Sequence, residues 1–170
     1  MPERFDQLIL PHMDAAYNLA RWILGSPADA DDVVQEAFLR ALRFFDGFRG
    51  GDSRAWLLKI VRNTSYSWLR KNRPATFAEE FDETLHSTEN TTANAETQLL
   101  SRAETDRLKK ALETLPLAFR EVLVLREIEG LSYKEIADVT GAAMGTVMSS
   151  LSRARQKLRS ELSATAVKEV

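Results

Sequence analysis

Leu131–Leu158 reads LSYKEIADVTGAAMGTVMSSLSRARQKL, and its punctuation decides the fold. Ser132 and Glu135 form an S-x-x-E capping box, in which a hydroxyl and a carboxylate each take one orphan backbone N–H, so a helix opens at Tyr133. Ile136, Ala137 and Val139 give that short helix a buried side. Thr140-Gly141 supplies a tight turn. A second helix follows from Met144, with Val147, Leu151, Ala154 and Leu158 on its inner face. Two helices of this size joined by so tight a turn make a helix-turn-helix, whose second helix enters the major groove of DNA. Gly145, Ser149, Ser152, Arg153 and Gln156 lie opposite the core, and Gly145 is small enough for a close approach to a duplex. Arg153, Arg155, Lys157 and Arg159 add a basic run with no acid before Glu161. An ordinary helical hairpin shares the periodicity, but not the agreement of capping box, glycine turn and basic second helix.

Two helices precede this unit, roughly Gln98–Thr114 and Leu117–Glu129, with Pro116 opening the second and Gly130 closing it. Three more fill the N-terminal half. The first spans roughly His12–Leu24, after an apolar lead-in at Phe5–Leu10 that Pro11 interrupts. Ser26-Pro27 reads as an N-cap and first-turn proline. The second helix runs to about Phe45, with Val34, Ala37, Phe38, Ala41, Leu42 and Phe45 at core spacing. Asp46–Ser53 is a glycine-rich loop. The third helix runs from about Arg54 to Asn72 and stops before Pro74. Seven glycines and five prolines in 170 residues leave few turns. The expected class is all-α, with two small helical domains.

Between the halves, residues 74–98 contain six acids and neither lysine nor arginine. Their weak periodicity predicts a flexible acidic linker. The net charge of −2 argues at first against nucleic-acid binding. Divided by segment, it is +2 over residues 1–73, −6 over 74–98 and +2 over 99–170. The negative total belongs to the linker.

The absence of cysteine excludes disulfides, thiolate metal sites and cysteine nucleophiles. His12 and His86 are the only histidines, which leaves little for a catalytic triad or a His-rich metal site. With no phosphate loop of the GxxxxGK type either, the expectation is a protein that is not an enzyme and has no catalytic residues, metal or cofactor. No run reaches the roughly 20 apolar residues that span a bilayer. The expected setting is cytoplasmic.

The third helix has two faces. Leu57, Ile60, Val61, Thr64 and Trp68 share the core side, and Lys59, Arg62, Asn63, Tyr66, Arg70 and Arg73 share the other. From Asp52 to Arg73 the charge is +5. Cations that neutralise phosphates, a ring that stacks on a base and an amide that reads a base edge suit nucleic acid. The second helix presents Asp32, Gln35, Glu36, Leu39 and Arg43, a mixture of acid, amide and exposed leucine that suits protein docking.

At these residues the chain resembles the extracytoplasmic-function (group IV) sigma factors of bacterial RNA polymerase, within the sigma-70 family. The matching text is SPADADDVVQEAFLRALRFFDGF and SRAWLLKIVRNTSYSWLRKNR in the first half, and LPLAFREVLVLREIEGLSYKEIADVTGAAMGTVMSSLSRARQKL in the second. The resemblance implies sigma region 2 over 1–73 and sigma region 4 over 99–170. It implies docking on the polymerase clamp by Asp32, Gln35, Glu36, Phe38 and Leu39, with region 4 on the flap. It implies that the Asp46–Gly51 loop, including Phe48 and Arg49, captures an unpaired base of the minus-10 element, while Lys59, Arg62, Asn63, Tyr66, Arg70 and Lys71 contact that element as the strands separate. It places Ser132, Lys134, Met144, Gly145, Thr146, Met148, Ser149, Ser152, Arg153 and Arg155 at the minus-35 element. The implied partners are core RNA polymerase, promoter DNA and an anti-sigma factor, with no insertion into a membrane. The chain departs from the family at Met148 and Ser150, where lysine and arginine are frequent, and at Ala143, where proline is. A stand-alone helix-turn-helix regulator that binds duplex DNA without polymerase is the competing reading, and a gel shift with and without core enzyme separates the two.

Overall fold

The structure is a computed structural model that describes residues 2–78 and 102–168. In the N-terminal half, α1 (Pro2–Ile9) passes through a 3-10 turn at Leu10–His12 into α2 (Met13–Leu24). Then come α3 (Pro27–Phe44) and α4 (Ser53–Asn72). The C-terminal half holds α5 (Arg102–Thr114), α6 (Leu117–Leu123), α7 (Tyr133–Thr140) and α8 (Met144–Lys168). No strand occurs among the described residues.

The helix ends follow local chemistry. The Ser26 hydroxyl accepts from the Asp29 N–H and opens α3 beside Pro27. Asp52 caps α4 by accepting from the Ala55 N–H at 3.0 Å. The capping box of α7 is complete: the Glu135 N–H donates to the Ser132 hydroxyl at 3.1 Å, and the Ser132 N–H donates to the Glu135 carboxylate at 2.9 Å. Gly141 ends α7 at φ 78°, a left-handed conformation that a side chain would strain. The helix expected over Leu117–Glu129 is not uniform. After α6 it widens into a π turn at Val124–Ile128, where the Glu129 N–H reaches back to the Val124 carbonyl.

Helices α2, α3 and α4 pack on one another, and α8 gathers α5, α6 and α7. Leu19, Leu24, Leu57 and Leu58 are fully buried in the first half, and Phe119, Leu125, Ile136 and Leu151 in the second. Each contributes roughly 1.5–3 kcal/mol by leaving water. The two halves also touch: α4 packs on α7 and α2 on α6, so one continuous core runs through both.

Three sequence expectations change here. Leu42, expected in the core, is 50 % exposed. Tighter packing on α2 and α4 is reserved for Val33, Val34, Ala37 and Ala41, whose small side chains let the helices approach. The linker expected from Pro74 begins with a helical stretch over 74–78, whose Phe77 ring meets Tyr66 edge-to-face at 5.8 Å. The linker's residues 79–98, and the start of the helix expected from Gln98, lie outside the described residues. Finally, α8 continues past Leu162 to Lys168.

Candidate nucleic-acid interface and docking face

Helix α4 carries its polar residues as the periodicity predicts, but the second half of the chain divides them. Lys59, Asn63, Arg70 and Lys71 are exposed. Arg62 and Tyr66 are instead engaged by Glu121 of α6. The Arg62 Nε donates to one Glu121 oxygen at 2.7 Å, and the Tyr66 hydroxyl donates to the other at 2.7 Å. Arg62 also stacks on the Tyr66 ring, 3.9 Å from its centroid. Glu121 is only 3 % exposed. Burial opposes the Arg62 charge, yet the neighbouring carboxylate outweighs it and holds the guanidinium protonated. Burial pushes the Tyr66 phenol well above its usual range, and the adjacent carboxylate adds to this, so the hydroxyl stays a donor. Arg73, on the same side, turns inward to Asp29 at 2.8 Å and to the Leu24 carbonyl at 2.9 Å.

The loop before α4 splits as well. Arg49 is exposed, but Phe48 is 7 % exposed. Its ring lies 5.8 Å from Phe45 and 5.2 Å from Trp56 in an aromatic cluster that also includes Phe5. A buried ring cannot stack on an incoming base, so Phe48 supports the loop and Arg49 carries its outer surface.

In the helix-turn-helix, Ser132, Lys134, Met144, Gly145, Thr146, Met148, Ser149 and Ser152 are all exposed. Met144 and Met148, one helical turn apart, are 45 % and 49 % exposed. The first two turns of α8 carry no cation. Of the two arginines that follow, Arg155 is held by Glu127 at 2.7 Å, and Arg153 is partly buried. Hydroxyls and methyl-bearing side chains, rather than charges, therefore face outward at the start of this helix, the Ser149 hydroxyl donating to the Thr146 carbonyl at 3.2 Å.

On α3, Asp32 and Gln35 are exposed, Glu36 pairs with Arg40 at 2.7 Å, and Leu39 is 62 % exposed. Phe38 is half-buried and meets Phe5 edge-to-face at 5.2 Å. Leu10, Met13, Val34, Gln35, Phe38 and Leu39 line one open apolar groove. Leu42 and Phe44 of the same helix are exposed as well.

Sequence reading also missed Glu121, Arg54 and Asp52. Arg54 of α4 donates to the Glu129 carbonyl at 3.1 Å and lies 3.4 Å from the Glu135 carboxylate. The neighbouring Glu135 carboxylate, with burial, raises the Asp52 carboxyl above its ordinary value. The proximity of Asp52 and the capping bonds to Ser132 hold Glu135 down to about 2. One signal pointed to Glu121: Arg120 and Glu121 interrupt an otherwise apolar run from Leu115 to Leu125. A charged pair in such a run needs partners.

Comparison with known proteins matches Sigma-70 region 2 at residues 8–75 and Sigma-70, region 4 at residues 105–158. The ECF RNA polymerase sigma factor SigE of Mycolicibacterium smegmatis is 35 % identical over 161 residues, which cover 93 % of this chain and 61 % of that protein. The ECF RNA polymerase sigma-E factor of Escherichia coli K12 is 37 % identical over 139 residues, covering 76 % of this chain and 72 % of the relative. The chain thus spans under two thirds of the mycobacterial relative's length. Among solved structures, the sigma factor RpoE of Bartonella quintana, in complex with the anti-sigma factor NepR, superposes with a TM-score of 0.73 at 31 % identity, over 95 % of this chain and 98 % of that one. CnrH, solved with the cytosolic domain of CnrY, gives 0.68 at 31 % identity over 96 % of this chain and 90 % of that one.

Proposed function

The chain belongs to the extracytoplasmic-function group of sigma-70 factors, and on that premise we propose that it directs core RNA polymerase to promoters and helps open them. The observation that carries this reading is the presence, in one chain and in sigma-70 order, of a basic aromatic face on α4 and a helix-turn-helix at α7–α8. The α8 face from Met144 to Ser152 enters the major groove at the minus-35 element, and the backbone is reached by Arg153 and, once it leaves Glu127, by Arg155. Lys59, Asn63, Arg70, Lys71 and Arg49 hold the minus-10 strand by its phosphates and base edges. Arg62 and Tyr66 add a cation and a stacking ring once they are released from Glu121. The α3 face around Asp32, Gln35, Glu36, Phe38 and Leu39 docks on the polymerase clamp, and the C-terminal half docks on the flap. An anti-sigma factor is the expected regulator.

The mechanism is binding rather than bond chemistry. Two domains fixed on one enzyme hold two promoter elements at a set separation. Capturing an unstacked base offsets a melting cost of a few kcal/mol, roughly. Run-off transcription of a genomic promoter library with core polymerase tests this. The expected outcome is discrete start sites that appear only when the chain is added. Tight duplex binding without polymerase, and no added initiation, would instead identify a stand-alone regulator.

A further inference from the structure

The α4 face assigned above to the promoter strand is partly covered by the chain's own C-terminal half. Tyr66 is engaged on three sides: Arg62 lies on its ring, Phe77 packs against the ring in a T-shaped pair, and its hydroxyl donates to Glu121. Arg62 gives its Nε to the same carboxylate. Glu121 therefore fills, with two oxygens, the place that a phosphate would take on a cation and a hydroxyl.

We propose that Glu121 is an internal competitor for the promoter strand: its carboxylate holds Arg62 and Tyr66 in the closed chain, and unpaired DNA gains these two side chains only when the halves part. The proposal rests on the reading of α4 given above. Three observations support the competition. Glu121 sits in an apolar run and is buried, so it needs a cation and a donor while the halves are together. Once they separate, water solvates it. Two further polar ties lie along the same interface: Arg54 to the Glu129 carbonyl and Glu135, and Arg120 of α6 to the Ile23 carbonyl of α2 at 3.4 Å. Polar ties of this kind can be exchanged for bonds to water when the halves part. Finally, Lys59, Asn63, Arg70 and Lys71 stay exposed beside the covered pair. A DNA strand can therefore be gripped first by these four, and displace Glu121 afterwards.

The chain has no native cysteine, so dyes can be placed on Asp14→Cys of α2 and Asp138→Cys of α7, both exposed and outside every face assigned here. Energy transfer between them reads closure. A labelled single-stranded deoxyoligonucleotide of mixed sequence reads binding to the same full chain. Glu121→Gln keeps the side chain's shape, and circular dichroism checks its fold. It is expected to lower energy transfer and to bind the oligonucleotide about fivefold tighter or more, the smallest factor typical of coupled sites. Arg54→Ala, which touches neither Arg62 nor Tyr66, is expected to shift both readouts the same way. Arg62→Ala added to Glu121→Gln should remove the gained affinity. Unchanged energy transfer in both Glu121→Gln and Arg54→Ala overturns the proposal. So does lowered transfer with unchanged strand affinity. In that last case Arg62→Ala separates the causes: if it weakens strand binding, the reading of α4 stands and only the competition fails, and if it has no effect, that reading fails too.

Discussion

Phe48 and Arg49 are adjacent in the chain and have opposite fates. The ring is packed between Phe45 and Trp56, and the guanidinium is in solvent. Truncating a buried aromatic removes its transfer free energy and leaves a cavity. Phe48→Ala is therefore expected to destabilise the chain by about 3–5 kcal/mol, measured by urea unfolding. Arg49→Ala should leave stability within about 0.5 kcal/mol and instead weaken binding to a single-stranded oligonucleotide. Equal stability losses in the two variants would show that the loop does not divide as described. Glu121 makes the same point from the other side. It looks like a surface acid in composition, yet it is the most deeply buried carboxylate among the described residues with a named partner on α4.

At the scale of the element, α7 depends on its first turn. Ser132 and Glu135 satisfy each other's backbone N–H groups, and Glu135 also faces Asp52 and Arg54. Ser132→Ala should cost about 1 kcal/mol, seen as a lower thermal midpoint at neutral pH. Glu135 adds a pH dependence with a definite sign. Its folded value, about 2, lies below the ordinary 4.5. The Ser132 capping bonds and the Arg54 contact favour ionised Glu135, so their contribution is present above pH 4.5 and is lost as the pH falls toward 2. The stability gap between the parent and Glu135→Gln is thus expected to shrink as the pH falls from 4.5 toward 2. A gap that is the same at pH 7 and pH 2 would exclude the ionised cap. The recognition helix shows how an element can keep its place while its chemistry changes. Its exposed start, with Met144 and Met148, offers methyl and hydroxyl groups, so on the proposed function contact with thymine methyls and base edges carries more of the readout.

For the whole molecule, the surfaces proposed to meet polymerase and DNA differ in access. The α3 groove with Leu39 lies open, whereas the α4 face is partly closed by α6. On the proposed function, docking at α3 needs no prior separation of the halves, whereas contact of a strand with Arg62 and Tyr66 does. Leu39→Asp changes a side chain that is 62 % exposed, so the thermal midpoint should stay within a degree or two. Affinity for core polymerase should fall about tenfold or more, the effect of losing one apolar anchor. Pull-down of core enzyme with tagged parent and variant checks this, and equal recovery would remove Leu39 from the docking face.

The sequence alone determined what depends on near neighbours. The capping box, the turn at Gly141, the proline and glycine boundaries and the amphipathic periods act over one to four residues, so they are written in order along the chain. The all-α class, the helix-turn-helix and the two faces of α4 followed from them. Tertiary structure decided what depends on residues far apart. Leu42, which its spacing put in the core, is exposed, and Phe48, which the family resemblance put in a base-capturing loop, is buried, because the space between α2, α3 and α4 admits small side chains and the aromatic cluster admits a ring. The pairing of Glu121 with Arg62 and Tyr66 joins residues 59 and 55 positions apart. No local pattern encodes such a contact, since it exists only when two separately amphipathic halves bring their remaining polar groups together out of water.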